Sequence, residues 1–288
     1  MQKTVVSIGE ILWDVFPEGK KAGGSSMNVA LNLHKQGINS QFISAIGDDV
    51  NGKELIEFLA SNNFPTNLIQ VSALPTSTVQ VKLDEQQQAT YTIVEPVAWD
   101  AIEISEEAIT AVKNADAFVY CSLTCRNEKS KNTILNLISY AKLKVFDINL
   151  REPFYTIATL KQLLAAADIL KVNEHELAYL KNELNLSGNT DEQLLKQLSL
   201  LFSIQIICLT VGEKGAYVLH DDFFHHHKGY VIKVADTVGA GDSFLATFVA
   251  SYLKGYPMDT ILDRACKVGA FVASQIGANP AYGDEVFN

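Results

Sequence analysis

Residues 144–172 read KVFDINLREPFYTIATLKQLLAAADILKV. Lys144–Ile148 and Asp168–Val172 are short apolar runs of the kind that form buried strands, and Leu160–Ala167 between them carries apolar residues at helical spacing. The alternation continues outward in both directions. Val5–Gly9, Phe42–Ile46, Ala117–Leu123 and Ile206–Val211 read as further strands, and Asn28–Gln36, Glu54–Ala60, Thr133–Lys142 and Glu192–Phe202 as helices. Repeated strand and helix predict an α/β fold, with right-handed crossovers in a mostly parallel sheet covered by helices on both faces. Such a sheet binds ligands at the carboxyl ends of its strands.

Two stretches break the pattern, Ile11–Lys21 and roughly Ser77–Glu95, where STVQVKL and ATYTIVE alternate apolar and polar residues around the polar turn DEQQQ. They predict a small exposed hairpin layer. Its apolar face covers a ligand site, meets a second copy of the chain, or belongs to an ordinary peripheral hairpin.

The 288-residue chain is 48% hydrophobic and 19% charged, enough for a full core and without the polar bias of a disordered segment. A formal charge of −10 sets the average surface against nucleic-acid backbones and anionic membranes, which leaves small ligands as the expected partners. The opening MQKTVVSIGEILWDVF lacks the apolar core and cleavage site of a signal peptide, and no apolar run reaches the roughly 20 residues that span a bilayer. A cytoplasmic location is the expectation. Cys121, Cys125, Cys208 and Cys266 fall in predicted strands or helices, and their one close pair has no second pair to complete a zinc site. They read as buried thiols, and His225–His227 as an exposed strand end.

The chemistry is concentrated in Asp236-Thr237-Val238-Gly239-Ala240-Gly241-Asp242-Ser243-Phe244. Phe244, Leu245, Phe248, Val249, Tyr252 and Leu253 follow at helical spacing, so the Gly-Ala-Gly turn presents free amide groups at a helix N-terminus. With glycines that let a phosphate approach the backbone, those amides form an anion hole. An acid such as Asp242 suits the start of any helix. Beside a phosphate cradle it repels the phosphate unless it has another task, and taking the proton of an attacking hydroxyl is that task. A Rossmann dehydrogenase places its glycine turn after the first strand, whereas this one lies near the C-terminus.

The string resembles the C-terminal signature of the ribokinase-type (PfkB-type) carbohydrate kinases. Gly23-Gly24-Ser25-Ser26-Met27-Asn28-Val29-Ala30 is similar to the family's di-glycine signature, which ends in Asn before a helix. Motifs in between also match, so the likeness covers essentially the whole chain. It implies one kinase domain over residues 1–288, a ribokinase-like three-layer α/β/α sandwich with a small β-sheet lid formed by about 11–22 and 77–98. It also implies a transfer of the terminal phosphoryl group of ATP to a sugar hydroxyl. Asp242 would deprotonate that hydroxyl, and Gly239, Ala240 and Gly241 would form the anion hole. Asp14 and Asn28 would bind sugar hydroxyls, with Gly24 admitting the sugar to the backbone; a neutral polyol needs such donors and acceptors in a water-poor pocket.

Three further motifs follow strands. Asn173-Glu174-His175-Glu176 resembles the Asn-x-x-Glu motif for the Mg2+ bound to ATP, in which Asn173 and Glu176 act partly through water. A glutamate there also suits a helix start. Thr210-Val211-Gly212-Glu213-Lys214-Gly215 resembles the turn that holds the nucleotide, with Thr210, Gly212 and Gly215 joined by Gly239 and Gly241; alone it would pass for a hairpin turn. Arg151, in DINLR, would bind substrate at the reaction centre or lie on the surface. The family often binds a monovalent cation, which would place K+ near Asp236.

GEILWDVFPEGKKAGGSSMN, CSLTCRNEKSKNT and DINLREPFY look most like the fructokinase branch. Members acting on sugar phosphates usually add a cation to the glycine signature, where this chain has Ser25-Ser26-Met27, so an unphosphorylated sugar, fructose first, is the expected acceptor. Lys20 and Lys21 keep a sugar phosphate open. Ribose, nucleosides and 2-keto-3-deoxygluconate are the alternative acceptors. TYTIVEPVAWD lacks an arginine-bearing sugar clamp, and Trp99 or Tyr91 would pack there. The alternative from another class is a catalytically silent nucleotide or sugar sensor on the same fold, which has no need of both base and anion hole. The apolar lid strands allow a homodimer through the lid.

Overall fold

The computed structural model describes residues 2–17, 19–83 and 89–287. The turn Asp84–Gln88, expected at the tip of the small hairpin, lies outside the described residues, as does the side chain of Tyr91.

From the N-terminus the chain forms β1 (Thr4–Ile8), β2 (Leu12–Phe16), β3 (Gly19–Gly23), α1 (Ser25–Lys35), β4 (Asn39–Gly47), α2 (Val50–Ser61), β5 (Ile69–Ser72), β6 (Ser77–Leu83) and β7 (Ala89–Ile93). It continues through α3 (Glu106–Asn114), β8 (Ala117–Cys121), α4 (Glu128–Ile138), β9 (Lys144–Asp147), α5 (Ile157–Ala166), β10 (Ile169–Asn173), α6 (Glu174–Glu183) and α7 (Asp191–Phe202). The last elements are β11 (Ile206–Thr210), β12 (Ala216–His220), β13 (Phe223–His227), α8 (Ala240–Leu253) and α9 (Met258–Ala273).

The large sheet has nine strands in the order β13-β12-β11-β10-β9-β8-β1-β4-β5. From β5 to β11 the pairings are parallel, and β12 and β13 close one edge as an antiparallel hairpin. Its strands are apolar on both faces because both faces are covered. Phe118, Tyr120, Phe146, Leu170 and Ile207 enter a core with Val112 of α3, Ile134 of α4, Leu163 of α5, Leu177 of α6 and Leu198 of α7. The adjacent Val119, Val145, Ile169 and Ile206 enter another, with Leu33 of α1, Phe248 of α8 and Ile261 of α9. This period of two makes three layers, and each large side chain so buried contributes on the order of 2 kcal/mol. Helix α8 is buried from Ser243 through Ser251, so its body runs inside the molecule while its first turn, Ala240–Asp242, stays part-exposed.

The small sheet has the order β3-β2-β6-β7, two hairpins joined by parallel pairing of β2 with β6. At its root Ile11 and Trp13 pack with Met27 and Leu31 of α1 and Leu55 and Leu59 of α2, which fixes where it leaves the body.

Several element boundaries differ from the sequence reading. The helix expected from Asn28 begins at Ser25, because Gly24, at φ 110°, turns the chain straight into it. The helix expected from Glu54 begins at Val50, where Asp49 caps it by accepting the Gly52 N–H at 2.8 Å. The helix expected over Thr133–Lys142 spans Glu128–Ile138, started by the Asn127 side chain. Trp99 is fully buried in the main core rather than in the small sheet. All four cysteines are free and buried. No helix among the described residues is long and apolar enough to cross a membrane.

Candidate active site

Gly239 takes the left-handed φ of 79° and starts α8. A Cβ there would stand 2.7 Å from Ala278 Cα, so only glycine fits. The turn it forms leaves the N–H groups of Gly241 and Asp242 without intrahelical acceptors. Asp242, in the first turn of α8, is partly buried, and its two oxygens are both engaged. Oδ1 accepts the Ser25 hydroxyl at 2.7 Å and Oδ2 accepts the Asn28 side-chain amide at 2.8 Å. The two glycine signatures therefore meet across 214 residues of sequence. Burial, then the nearby Asp147, pushes the Asp242 carboxyl above the usual carboxylate range, against Asn28, Ser25 and Lys171.

Lys171 gave no signal in the sequence, since a lysine in a strand normally extends to solvent. Here it is 6% exposed, with Nζ 3.0 Å from Asp147 Oδ1. A Cβ on Gly241 would come within 3.2 Å of that nitrogen, so the ammonium lies directly against the glycine turn. Burial alone would lower its pKa; Asp147, Glu176 and Asp242 outweigh burial and hold it above the ordinary lysine value. It is a fixed cation among three carboxylates. Asp147 Oδ2 and Asn149 Nδ2, at the carboxyl end of β9, are buried without a protein partner, the kind of atoms a ligand or ion uses.

Asn173 and Glu176 form a reciprocal cap on α6. Asn173 Oδ1 accepts the Glu176 N–H at 2.9 Å, and Glu176 Oε2 accepts the Asn173 N–H at 2.8 Å. Glu176 Oε1 takes the Leu150 N–H at 3.1 Å, and burial raises its pKa against the pull of Lys171. Among the described residues no group of three or more His, Cys, Asp or Glu side chains could hold a metal ion. The donor set, with both residues committed to backbone groups and Asp147 Oδ2 free, fits a hydrated cation that arrives on a ligand rather than a resident metal. Thr210 pairs in register with Asn173 at the neighbouring strand end. Gly212, at φ 57°, faces open space, while a Cβ on Gly215 would collide with His227 O at 2.0 Å. Asp236 joins two loops, its oxygens accepting the N–H groups of Val238 and Gly277, each at 3.0 Å.

On the small-sheet side, the Asp14 carboxyl group makes no hydrogen bond among the described residues. Burial, then Asp236, raises its pKa to about 6, against Lys21. A Cβ on Gly23 would lie 2.3 Å from its Oδ2. Packing alone already requires glycine at Gly24: a Cβ there would strike Glu10 O at 2.4 Å. Lys20 bonds Asn51 Oδ1 at 2.7 Å and pairs with Glu54, turned toward α2. Arg151 is exposed, its guanidinium donating to Leu150 O, and is not brought against the other candidates. The segment without an arginine borrows one: Arg126, after β8, donates to Val94 O at 2.9 Å and to both oxygens of Asp100. Glu10, also missed, is 1% exposed and accepts from Ser26, Thr124 and Cys121, bracing the start of α1 against the end of β8.

A turn of free amides, a carboxylate among them and a buried cation beneath, at the carboxyl ends of a parallel sheet, define a phosphotransferase site. The family model described as pfkB family carbohydrate kinase matches residues 7–283, and the chain belongs to that family. It is a sugar phosphotransferase. A fructokinase of Vibrio alginolyticus is 28% identical over 95% of this chain and 94% of its own length. An ATP-dependent 6-phosphofructokinase of Thermoanaerobacterium thermosaccharolyticum is 27% identical over 95% of this chain and 89% of its own. The crystal structure of a fructokinase from Vibrio cholerae O395 in a fructose-, ADP- and calcium-bound form superposes with a TM-score of 0.83 at 24% identity, covering 97% of this chain and 96% of that one.

Proposed function

We propose that the chain is an ATP-dependent fructokinase in which Asp242 takes the proton of the accepting hydroxyl and the N–H groups of the Gly239–Gly241 turn receive the transferring phosphoryl group. The observation that carries this reading is the Asp242 carboxylate at the mouth of the α8 anion hole, held by Ser25 and Asn28. A base so held is aimed before the substrate arrives, and burial lifts it toward the pH at which it works.

The sugar lies between this carboxylate and the small sheet, which acts as a lid. Asp14 accepts from sugar hydroxyls, and Asn28 keeps one N–H for the same purpose after bonding Asp242. The nucleotide lies along Thr210, Gly212 and Gly215, with Lys171 countering its terminal phosphate. Asp147, Asn173 and Glu176 would hold the waters of the Mg2+ that ATP carries, an ion that would supply neutralising charge at the phosphates. Asp236 would hold a K+ ion.

For the acceptor, the glycine signature carries Ser25 and Ser26, bonded to Asp242 and Glu10, instead of the cation a sugar phosphate needs, and Lys20 is already paired with Glu54. Both favour an unphosphorylated sugar. The test is ATP consumption over fructose, fructose 6-phosphate, ribose, adenosine and 2-keto-3-deoxygluconate. Fructose is expected to give the highest kcat/KM; no turnover of fructose would overturn the assignment, and preference for another acceptor would name it.

A further inference from the structure

Asn279 lies beyond α9, in none of the motifs read from the sequence. Its Nδ2 donates to Asn28 Oδ1 at 2.6 Å, and Asn28 Nδ2 donates to Asp242 Oδ2 at 2.8 Å. An amide has an acceptor at one end and donors at the other. Asn28 faces the carboxylate with its N–H groups as long as another group takes its oxygen, and Asn279 is that group. A flipped Asn28 would set its oxygen against a carboxylate oxygen. The direction of the chain leaves Asn279 Oδ1 buried and unpartnered, an exception held in place by the bonds at its other end.

The segment around Asn279 is fastened residue by residue. The Gly277 N–H donates to Asp236 Oδ2 at 3.0 Å and Ala278 packs on Gly239. Lys35 Nζ donates to Pro280 O at 3.0 Å and the Tyr282 hydroxyl to Asn32 Oδ1 at 2.7 Å. Asn28, Asn32 and Lys35 share one face of α1, so residues 277–282 form a strap along that helix and across the glycine turn.

We propose that Asn279 is a positioning residue for phosphoryl transfer: through the Asn28 amide it fixes the orientation of the Asp242 carboxylate. The inference rests on the reading of Asp242 as the base. Ser25 holds one oxygen and the strap, through Asn28, the other, so the carboxylate is fixed from both sides. Without Asn279 the Asn28 amide turns, the ionised carboxylate loses a donor, and Asp242 becomes easier to protonate.

The test is the titration of Asp242 in the ligand-free chain by carbon NMR with carboxyl-labelled aspartate, the signal assigned by its loss in Asp242→Asn. Asn279→Leu is expected to raise the Asp242 midpoint by about one pH unit, with a matching shift of the acid limb of kcat/KM and about a tenfold loss of kcat. In an Asn28→Leu background the same change is expected to add nothing, because its effect passes through Asn28. An unmoved midpoint in Asn279→Leu, or a full second shift in the Asn28→Leu background, overturns the inference. Should the leucine variant fail to fold, Asn279→Ala is read by the same criteria. Full turnover by Asp242→Asn would instead overturn the reading of the base, so the two failures are told apart.

Discussion

Asp14, half-buried, and Lys171, buried, are charged groups whose effects on stability differ. Burial lifts Asp14 from 3.8 to about 6, so the folded chain holds that proton more tightly than the unfolded one. The contribution of Asp14 to stability is then greatest at low pH, falls as pH rises between those two values, and is level above them. Asp14→Asn is expected to remove the loss, raising the unfolding free energy at pH 8 by at most about 3 kcal/mol, with solvent contact reducing the gain, and changing little below the lower value. Urea unfolding at both pH values measures this. Lys171→Met is expected to destabilise by about 3–5 kcal/mol, because it strands Asp147, whose side chain is 3% exposed. It is also expected to move the acid limb of kcat/KM upward, since Asp242 loses a nearby cation.

At the scale of elements, glycine turns divide into those that are packed and those that are open. Gly239 is pressed on Ala278 at a positive φ, and Gly239→Ala is expected to lower stability by about 2 kcal/mol or more and to disable the anion hole. Gly212 also has positive φ but open space around it, so Gly212→Ala is expected to cost about 1 kcal/mol and to raise the KM for ATP. Thermal unfolding and ATP kinetics separate the two. The glycine motif was legible in the sequence because turn, acid and helix are contiguous, and their local preferences agree. Ser25 and Lys171 were not: a serine was read only as a missing cation, and nothing local marks a strand lysine as buried. Of hairpin β12–β13 only the strand end at His225–His227 was read, because FFHHH lacks the apolar alternation that marks a whole edge strand.

Over the whole molecule, the layered sheet was readable because strand and helix periods alternate through the chain, and both faces of the sheet carry apolar residues. Helix starts were displaced by up to five residues, as from Thr133 to Glu128, because capping side chains rather than apolar periodicity set them. What periodicity could not supply was distance in sequence. The contact between Asn28 and Asn279 spans 251 residues, and the one between Glu10 and Thr124 spans 114. Such pairs are joined by the order of strands in the sheet, which brings the ends of β1 and β8 together and lays the segment after α9 over α1.

The central claim, that the acid at the start of α8 removes the proton of the sugar hydroxyl, is tested most directly by Asp242→Asn. Phosphoryl transfer from ATP to the sugar the parent chain accepts is followed by phosphorus NMR, and ATP affinity by calorimetry. The asparagine keeps the shape of the side chain and its place beside Ser25 and Asn28. Turnover is expected to fall by about a thousandfold or more with ATP affinity within about threefold of the parent. Turnover within about tenfold of the parent would contradict it.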